Sequence, residues 1–401
     1  MQHSPRPSYF DNSATTALDP AVLQAMMPYL TGCYGNAASS SHVFGWEARR
    51  AVERARAVLA LAINAGQPSD IVFTSGATEA INQAITCLLP YQTEGAGHVI
   101  PSQIEHKAVL GACARLAERG VHITYLAPDC HGHISPDTLR QAIRADTYLV
   151  SIMAANNETG TVQNIDAIGA LCQAHGIVLH TDATQIFGKL PFDVQRSNVS
   201  MASISAHKLY GPKGVGALYL NRSDPRLNLR PLVVGGGHEQ GLRSGTLNVP
   251  GIVGFARAAE LALHGMAEER TRLRQMRDSL RDSLLQALPD TQLNGHAAEC
   301  LPGLLNVCFA GIDAGSLMLE MPDFALSAGS ACSSARQTPS HVLRAMGRSD
   351  EQIQASVRIG IGRFNTQPEV DALAQRLITT VCLLRSMAPP ALPTPTTPPA
   401  P

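Results

Sequence analysis

Between about residue 70 and residue 220, short β-branched apolar runs alternate with longer segments whose apolar residues recur at helical spacing. Ile71-Val72-Phe73-Thr74, His98-Val99-Ile100, Val121 to Leu126, Tyr148 to Met153, Ile177 to His180, Met201 to Ser205 and Gly216 to Leu220 read as strands. Helical patterns follow Gly76 and cover about His106 to Arg119, Pro136 to Arg144 and Ile165 to His175. Such a βαβ succession predicts an α/β fold, with a mostly parallel sheet covered by helices on both faces. Sheets of this kind place ligands at the carboxyl ends of their strands.

A long helix is expected from about Pro250 to Leu288, bridging to a second unit. That unit has strands near Leu304 to Phe309 and Val357 to Ile359. Its helices are expected near Ser316 to Met321, Pro339 to Met346 and Pro368 to Arg385. The expected division is a large domain over 15–260 and a smaller α+β domain built from 1–14 and 261–388. Residues 389–401 are too rich in proline to pack and are expected to form a disordered tail.

Composition narrows the function class. The 401 residues are 45% hydrophobic and 16% charged, and their mean hydropathy is +0.01, as in an ordinary globular protein. No uncharged apolar stretch approaches the roughly 20 residues that a membrane span needs. A net charge of −1 provides no general attraction to nucleic acid or anionic lipid. The N-terminus lacks a signal peptide's apolar core, and nine scattered cysteines form no Cys-x-x-Cys pair. A reducing, cytoplasmic setting is therefore expected. Cys130-His131-Gly132-His133 is read as a polar turn in preference to a metal site, which would need four convergent ligands.

The chain has only four lysines against 27 arginines. Arginine can replace lysine in most solvated and phosphate-binding roles, but its guanidinium cannot form a Schiff base. Lys208 closes the run Met201 to Ser205-Ala206-His207-Lys208 and is either a covalent anchor for a carbonyl cofactor or a strand-end lysine reaching water. Asp182, in His180-Thr181-Asp182-Ala183-Thr184-Gln185, either caps the next helix or pairs with a protonated ring nitrogen. Thr74-Ser75-Gly76-Ala77-Thr78-Glu79 is either an ordinary N-cap or a phosphate cradle. The loop Gly235 to Thr246 is a flexible connector or a second phosphate contact. His106, at a helix start, could stack on a ring and shuttle protons, or simply lie at the surface. Asn156 and Asn157 could fix a phenolic oxygen or a carboxylate, or build a turn. Ser327 to Ala335 is almost wholly Gly, Ala and Ser, so Cys332 is either a thiol placed for reaction or incidental to a mobile loop.

Together these segments resemble the pyridoxal phosphate-dependent cysteine desulfurases, a branch of the class V aminotransferase-like, fold-type I enzymes. The likeness runs from Tyr9-Phe10-Asp11-Asn12-Ser13-Ala14-Thr15-Thr16 to about residue 386. It takes in the Ser75-Gly76-Ala77-Thr78, Glu105-His106-Lys107, Thr181-Asp182-Ala183, Ser205-Ala206-His207-Lys208, Arg243-Ser244-Gly245-Thr246 and Gly329-Ser330-Ala331-Cys332 motifs. The resemblance implies a seven-stranded sheet and a homodimer. Lys208 would hold pyridoxal 5'-phosphate covalently and move the Cα proton, and His106 would stack on the ring as an acid/base. Asp182 would pair with the ring nitrogen, with Gln185 and Asn157 near its hydroxyl. Ala77, Thr78, Ser205 and His207 would bind the phosphate, joined by Thr246 from a neighbouring subunit.

On the substrate side, Arg358, with Asn157, would bind the α-carboxylate of L-cysteine. Cys332, on a mobile loop over about 325–337, would take the sulfur as a persulfide, leave alanine, and pass the sulfur to acceptor proteins such as an iron–sulfur scaffold. The length of that loop resembles the housekeeping and nitrogenase-linked branch. Ile359-Gly360-Ile361-Gly362 departs from the family's usual Phe-Ser-Leu-Gly, and Gly35-Asn36-Ala37-Ala38 has alanine where relatives carry proline. Rival readings are another class V activity, such as selenocysteine lyase or a transaminase, and a catalytically idle docking platform.

Overall fold

In the computed structural model, the described residues are 6–88, 97–328 and 339–387. Cys332 and the proline-rich tail lie outside them. The strands are β1 (Ser8–Tyr9), β2 (Ile71–Thr74), β3 (His98–Pro101), β4 (His122–Ile123), β5 (Thr147–Ser151) and β6 (Val178–Asp182). They continue with β7 (Met201–Ser205), β8 (Gly216–Leu220), β9 (Thr291–Leu293), β10 (Leu304–Phe309), β11 (Phe324–Ala325) and β12 (Ser356–Gly360). The α-helices are α1 (Pro20–Leu30), α2 (Val43–Ala62), α3 (Ala77–Thr86), α4 (Lys107–Ala117), α5 (Pro136–Ala142) and α6 (Ile165–Ala174). They continue with α7 (Val249–Ala287), α8 (Ala314–Leu319), α9 (His341–Ala345), α10 (Asp350–Gln354) and α11 (Gln367–Met387).

Seven strands form the main sheet in the order β2-β8-β7-β6-β5-β3-β4. All neighbouring pairs are parallel except those of β8, which is antiparallel to β2 and to β7. β2 and β7 therefore share a direction, and the carboxyl ends of β2, β7, β6, β5 and β3 lie along one edge. Alternate residues feed two cores, as the period of two requires. Phe73, Ile100, Val150, Leu179, Ile204 and Tyr219 pack toward α2, α6 and the first half of α7. Val72, Val99, Leu149, Val178, Met201 and Leu218 pack toward α3 and α4. Helices on both faces explain the nearly continuous apolar runs.

Expected element boundaries agree within one to three residues, with one exception. The strand expected over Val121 to Leu126 is regular only at His122–Ile123, because it is an edge. Its backbone bonds, from His122 N, Thr124 N and Leu126 N, reach only β3 and its neighbours, and pairing resumes as a single bridge between Ser102 and Leu126. Helices α1 and α2 go beyond the sequence reading.

A second, three-stranded antiparallel sheet has the order β12-β10-β9. Its core joins Val307, Val357 and Ile359 to Leu280 and Leu284 of α7 and to Leu373 and Leu377 of α11. Helix α7 thus contributes Phe255 and Ala259 to one core and Leu273 to Leu284 to another. The N-terminal segment crosses to this second sheet: Gly360 N donates to Phe10 O at 2.6 Å. A Cβ on Gly360 would lie 2.9 Å from the backbone nitrogens of both Asn12 and Ser13, so glycine at this point admits segment 11–14 into the cleft. No helix among the described residues is long and apolar enough to cross a membrane.

Candidate active site

A cavity of about 470 Å³ opens at the carboxyl edge of the main sheet. Its lining includes Ala77, Thr78, His106, Asn157, Asp182, Gln185, Ser205, His207, Lys208 and Arg358. Ten of the twelve residues singled out from sequence therefore meet in one place. Thr246 does not line this cavity within one chain, and Cys332 lies outside the described residues.

Sheet register brings two of the motifs together. Gly216 of β8 pairs with Thr74 on one side and with Ser205 on the other. A Cβ there would lie 2.6 Å from Ile204 O and 2.7 Å from Gly76 Cα, so only glycine lets the start of α3 approach the end of β7. Gly76, the N-cap of α3, supplies no side-chain cap. The first backbone N–H groups of α3, at Ala77 and Thr78, consequently face the cavity as unused donors, at the positive end of a helix. Lys213, Ser205 and His207 stand near them. Burial, then the Lys208, Lys213 and Lys189 charges, push the His207 imidazole down to about 4, so it is neutral at pH 7.

Asp182 ends β6 in register with Ser203 of β7. Its Oδ1 accepts from Thr184 N at 2.9 Å, so it does build the local turn. Oδ2 has no hydrogen bond among the described residues, which leaves it for a group in the cavity. Beneath it His180 is fully buried between two hydroxyls, Ser151 Oγ at 2.8 Å and Ser203 Oγ at 2.9 Å. Desolvation lowers His180 to about 4, so the layer under Asp182 is uncharged. Lys208 follows β7 in a short 3₁₀ turn, and its Nζ donates to Ser13 O and Ala14 O at 2.7 Å each.

His106 is the N-cap of α4, its Nδ1 accepting from Ala108 N at 3.1 Å. The cap fixes the ring and assigns the proton of the neutral imidazole to Nε2. Asn156 and Asn157 divide the two roles left open for them. Buried Asn156 builds the turn by accepting from Glu158 N and Thr159 N, whereas Asn157 lines the cavity. Arg358 is 1% exposed and donates from Nη2 to Asp11 Oδ1 at 2.8 Å and from Nη1 to Asn157 O at 3.1 Å. Its Nε has no hydrogen-bond partner among the described residues, an unfilled donor on a buried cation.

The glycine-dense loop is anchored instead of acting as a flexible connector. Arg243 Nε donates to Glu79 Oε1 at 2.8 Å, and Arg56 makes a buried bidentate ion pair with Glu239, donating from Nη1 and Nη2 at 2.7 and 2.8 Å. Thr246 is exposed on its outer side. Chain on either side of 329–338 bonds to residues that line the cavity or lie beside it. Arg358 N donates to Ser327 O at 2.7 Å, and His341 lines the opening while its Nε2 meets Glu105 O at 2.9 Å.

Several site residues escaped the sequence reading. Asp11 and Glu105 stand in quoted motifs but were given no role there, and His341 comes from a segment remote in sequence that no local pattern marks. Lys107, Lys213 and Lys189 carried a signal that went unused. All four lysines of the chain line this cavity or a small one directly behind it.

These groups suit pyridoxal phosphate: helix N–H donors for an anion, a carboxylate oxygen without a partner among the described residues, an amine, and a buried guanidinium. Comparison with known proteins agrees. The Aminotransferase class-V family model matches residues 8–373. The chain is 49% identical over 383 residues to "Cysteine desulfurase IscS" of Anaeromyxobacter sp. (strain Fw109-5), covering 96% of this chain and 94% of that protein. It is 47% identical to "Cysteine desulfurase, mitochondrial" of Arthroderma benhamiae, covering 97% of this chain and 77% of that one. Among solved structures, a "NIFS-LIKE PROTEIN" superposes with a TM-score of 0.87 at 36% identity, covering 94% of this chain and all of that one. "SspA in complex with cysteine" superposes with a TM-score of 0.78 at 36% identity, over 90% of this chain and all of its own. The chain belongs to the class V aminotransferase family, in its cysteine desulfurase branch.

Proposed function

We propose that this chain is a pyridoxal phosphate-dependent cysteine desulfurase that converts L-cysteine to L-alanine and carries the sulfur on Cys332. The observation that carries this reading is the meeting of Lys208, Asp182, Arg358 and the uncapped start of α3 around one cavity. When bound, pyridoxal phosphate supplies a carbonyl for covalent capture of an amine and an electron sink for the pair left at Cα.

The chain's own residues do the rest. Ala77 N, Thr78 N, Ser205 and His207 would hold the phosphate, joined by Thr246 from a second copy of the chain. The free Oδ2 of Asp182 meets the ring nitrogen, Gln185 and Asn157 the hydroxyl side, and His106 lies against the ring. Arg358, oriented by Asp11, receives the substrate α-carboxylate, and a bidentate guanidinium fixes its direction as well as its charge. Lys208 Nζ holds the cofactor and then moves the proton at substrate Cα. The Cys332 sulfur attacks the substrate sulfur: the Cβ–S bond breaks, an S–S bond forms, and a proton replaces sulfur at Cβ. Cysteine plus a thiol thereby becomes alanine plus a persulfide, with atoms in balance. His341 in the cavity lining, and the backbone pairing of Ser327 with Arg358, support a reach from Cys332 to the substrate.

We further read the enzyme as a cytoplasmic homodimer that delivers sulfur to an acceptor such as an iron–sulfur scaffold. Exposed Tyr34, Phe44, Trp46 and Val234 favour a second copy of the chain as a partner. The split of α7 between two cores supports domains over 15–260 and over 1–14 with 261–388. The decisive experiment incubates the purified protein with L-cysteine. Stoichiometric alanine and one added sulfur mass on the Cys332 peptide are expected. Alanine formation undiminished in Cys332→Ala would overturn the reading in favour of another class V activity, and protein without visible cofactor absorbance would favour a docking platform.

A further inference from the structure

We propose that Lys189 is a positioning residue for the cofactor ring: it fixes the carboxamide of Gln185 from behind, so that the amide's N–H side faces the cavity. The proposal rests on the reading that pyridoxal phosphate binds here with Gln185 beside its ring hydroxyl.

The geometry is a short chain of hydrogen bonds between two lysines. Lys189 Nζ donates to Gln185 Oε1 at 2.9 Å, Gln185 Nε2 donates to Ser13 O at 2.9 Å, and Lys208 Nζ donates to the same Ser13 O at 2.7 Å. An ammonium only donates and a backbone carbonyl only accepts. Both ends therefore dictate the same amide orientation, and the second N–H of Gln185 remains for a ligand oxygen. Lys189 stands at a small cavity of about 30 Å³ behind Lys208, lined also by Ala262, Glu269 and Leu273 of α7 and by Ile361 and Arg363 just after β12. The nearest carboxylate there, Glu269, is already bonded to Arg363 at 2.8 Å. Gln185 is thus the one hydrogen-bond acceptor of Lys189 among the described residues.

Its surroundings mark Lys189 as more than a filler. Burial first, then the Lys208 and Arg358 charges, lower its amine from 10.5 to about 7, with Glu269 acting in the opposite sense. A lysine kept where its charge is so poorly supported, in a chain that uses arginine for 27 of its 31 basic residues, points to a requirement for a compact donor. Removing it would leave Gln185 Oε1 buried without a donor and free the amide to turn. It would also take one positive charge away from Lys208.

The test uses the holoenzyme. Lys189→Met should move the pH midpoint of the cofactor's visible absorbance upward by about half a unit or more, since a neighbouring cation is lost. It should lower kcat by about tenfold, the effect of one misplaced polar group, while KM for L-cysteine changes little. Lys189→Arg keeps the charge but not the compact donor, so it should leave the midpoint near the wild-type value while kcat falls. In a Gln185→Ala background, Lys189→Met should lower kcat no further. Wild-type absorbance, titration and kcat in Lys189→Met would overturn the proposal, as would a full kcat loss in the Gln185→Ala background. Should Lys189→Met not fold, Lys189→Gln is read instead: it removes the charge, so the midpoint must still rise, and an unmoved midpoint overturns the proposal. A wild-type protein that binds no pyridoxal phosphate would defeat the functional reading itself, which the wild-type spectrum reveals on its own.

Discussion

The wall of the cavity built by the seven-stranded sheet presents many small contacts, whereas the wall built by the three-stranded sheet presents one buried guanidinium. On the first wall, Ala77 N, Thr78 N, Asp182, Ser205 and Lys208 come from strand ends and a helix start, each set by sheet register. On the second, Arg358 is held by a carboxylate 347 residues away in sequence and by the Asn157 carbonyl. The first wall distributes its hold on a ligand over backbone donors that no side-chain substitution removes. The second concentrates its hold in a single side chain. The two should therefore respond differently to damage.

Lys208→Ala tests the first wall at its most exacting point. Turnover should fall on the order of 10³-fold or more, because both the covalent anchor and the proton carrier are lost. The cofactor should nevertheless remain bound non-covalently through the α3 donors and Asp182, seen as absorbance that borohydride no longer fixes to the protein. Loss of all bound cofactor would break the idea of a distributed hold.

Arg358→Lys tests the second wall. The charge persists, but the two-pronged geometry and the bonds to Asp11 and Asn157 do not. The kcat/KM for L-cysteine should fall about 10- to 100-fold, mostly through KM, with cofactor absorbance unchanged. Asp11→Asn should do less, roughly threefold to tenfold in KM, since the amide oxygen still accepts from Nη2 but without charge. An Asp11→Asn effect as large as that of Arg358→Lys would show that orientation, not the guanidinium's own contact, dominates this wall.

The same contrast explains what could be read from the chain. The first wall was legible because each of its motifs lies within a single turn: Ser205 to Lys208, Thr74 to Thr78, and His180 to Gln185. Backbone chemistry there is local, so the spacing of residues carries the meaning. The fold was legible for the same reason, as strands buried on both faces must be apolar throughout. Helix α2 was legible in principle, since Ala48, Val52, Ala55 and Leu59 recur at helical spacing and are all buried. The second wall was not. Asp11 and Arg358 meet only because the chain just after β1 bridges to the end of β12, at Asp11 and Gly360, and nothing in either segment names the other. Lys189 and His341 likewise acquire their roles through packing.

The smallest effect on turnover concerns what lies beneath the first wall, and it separates stability from catalysis. Glu105 is fully buried, its Oε1 accepting from Ser102 Oγ at 2.6 Å and Met153 N at 2.9 Å, while Oε2 has no partner. Desolvation raises its carboxyl from 4.5 to about 8, against the pull of those two bonds. A carboxyl raised in the folded state costs no stability below pH 4.5, where both states are protonated. Stability then declines as pH rises from 4.5 to about 8 and levels off above, since only the unfolded chain ionises in that window. Glu105→Gln removes this alkaline decline. It should match wild type near pH 4.5 and exceed it at pH 8.5 by up to roughly 5 kcal/mol, measured by unfolding at each pH. His180, lowered to about 4, has the opposite sign and loses stability as pH falls from 6.5 toward 4. That acid limb should be identical in both proteins. If Glu105→Gln instead shifts the acid limb or lowers kcat, Glu105 is part of the reacting layer and the first wall extends one shell deeper than Asp182.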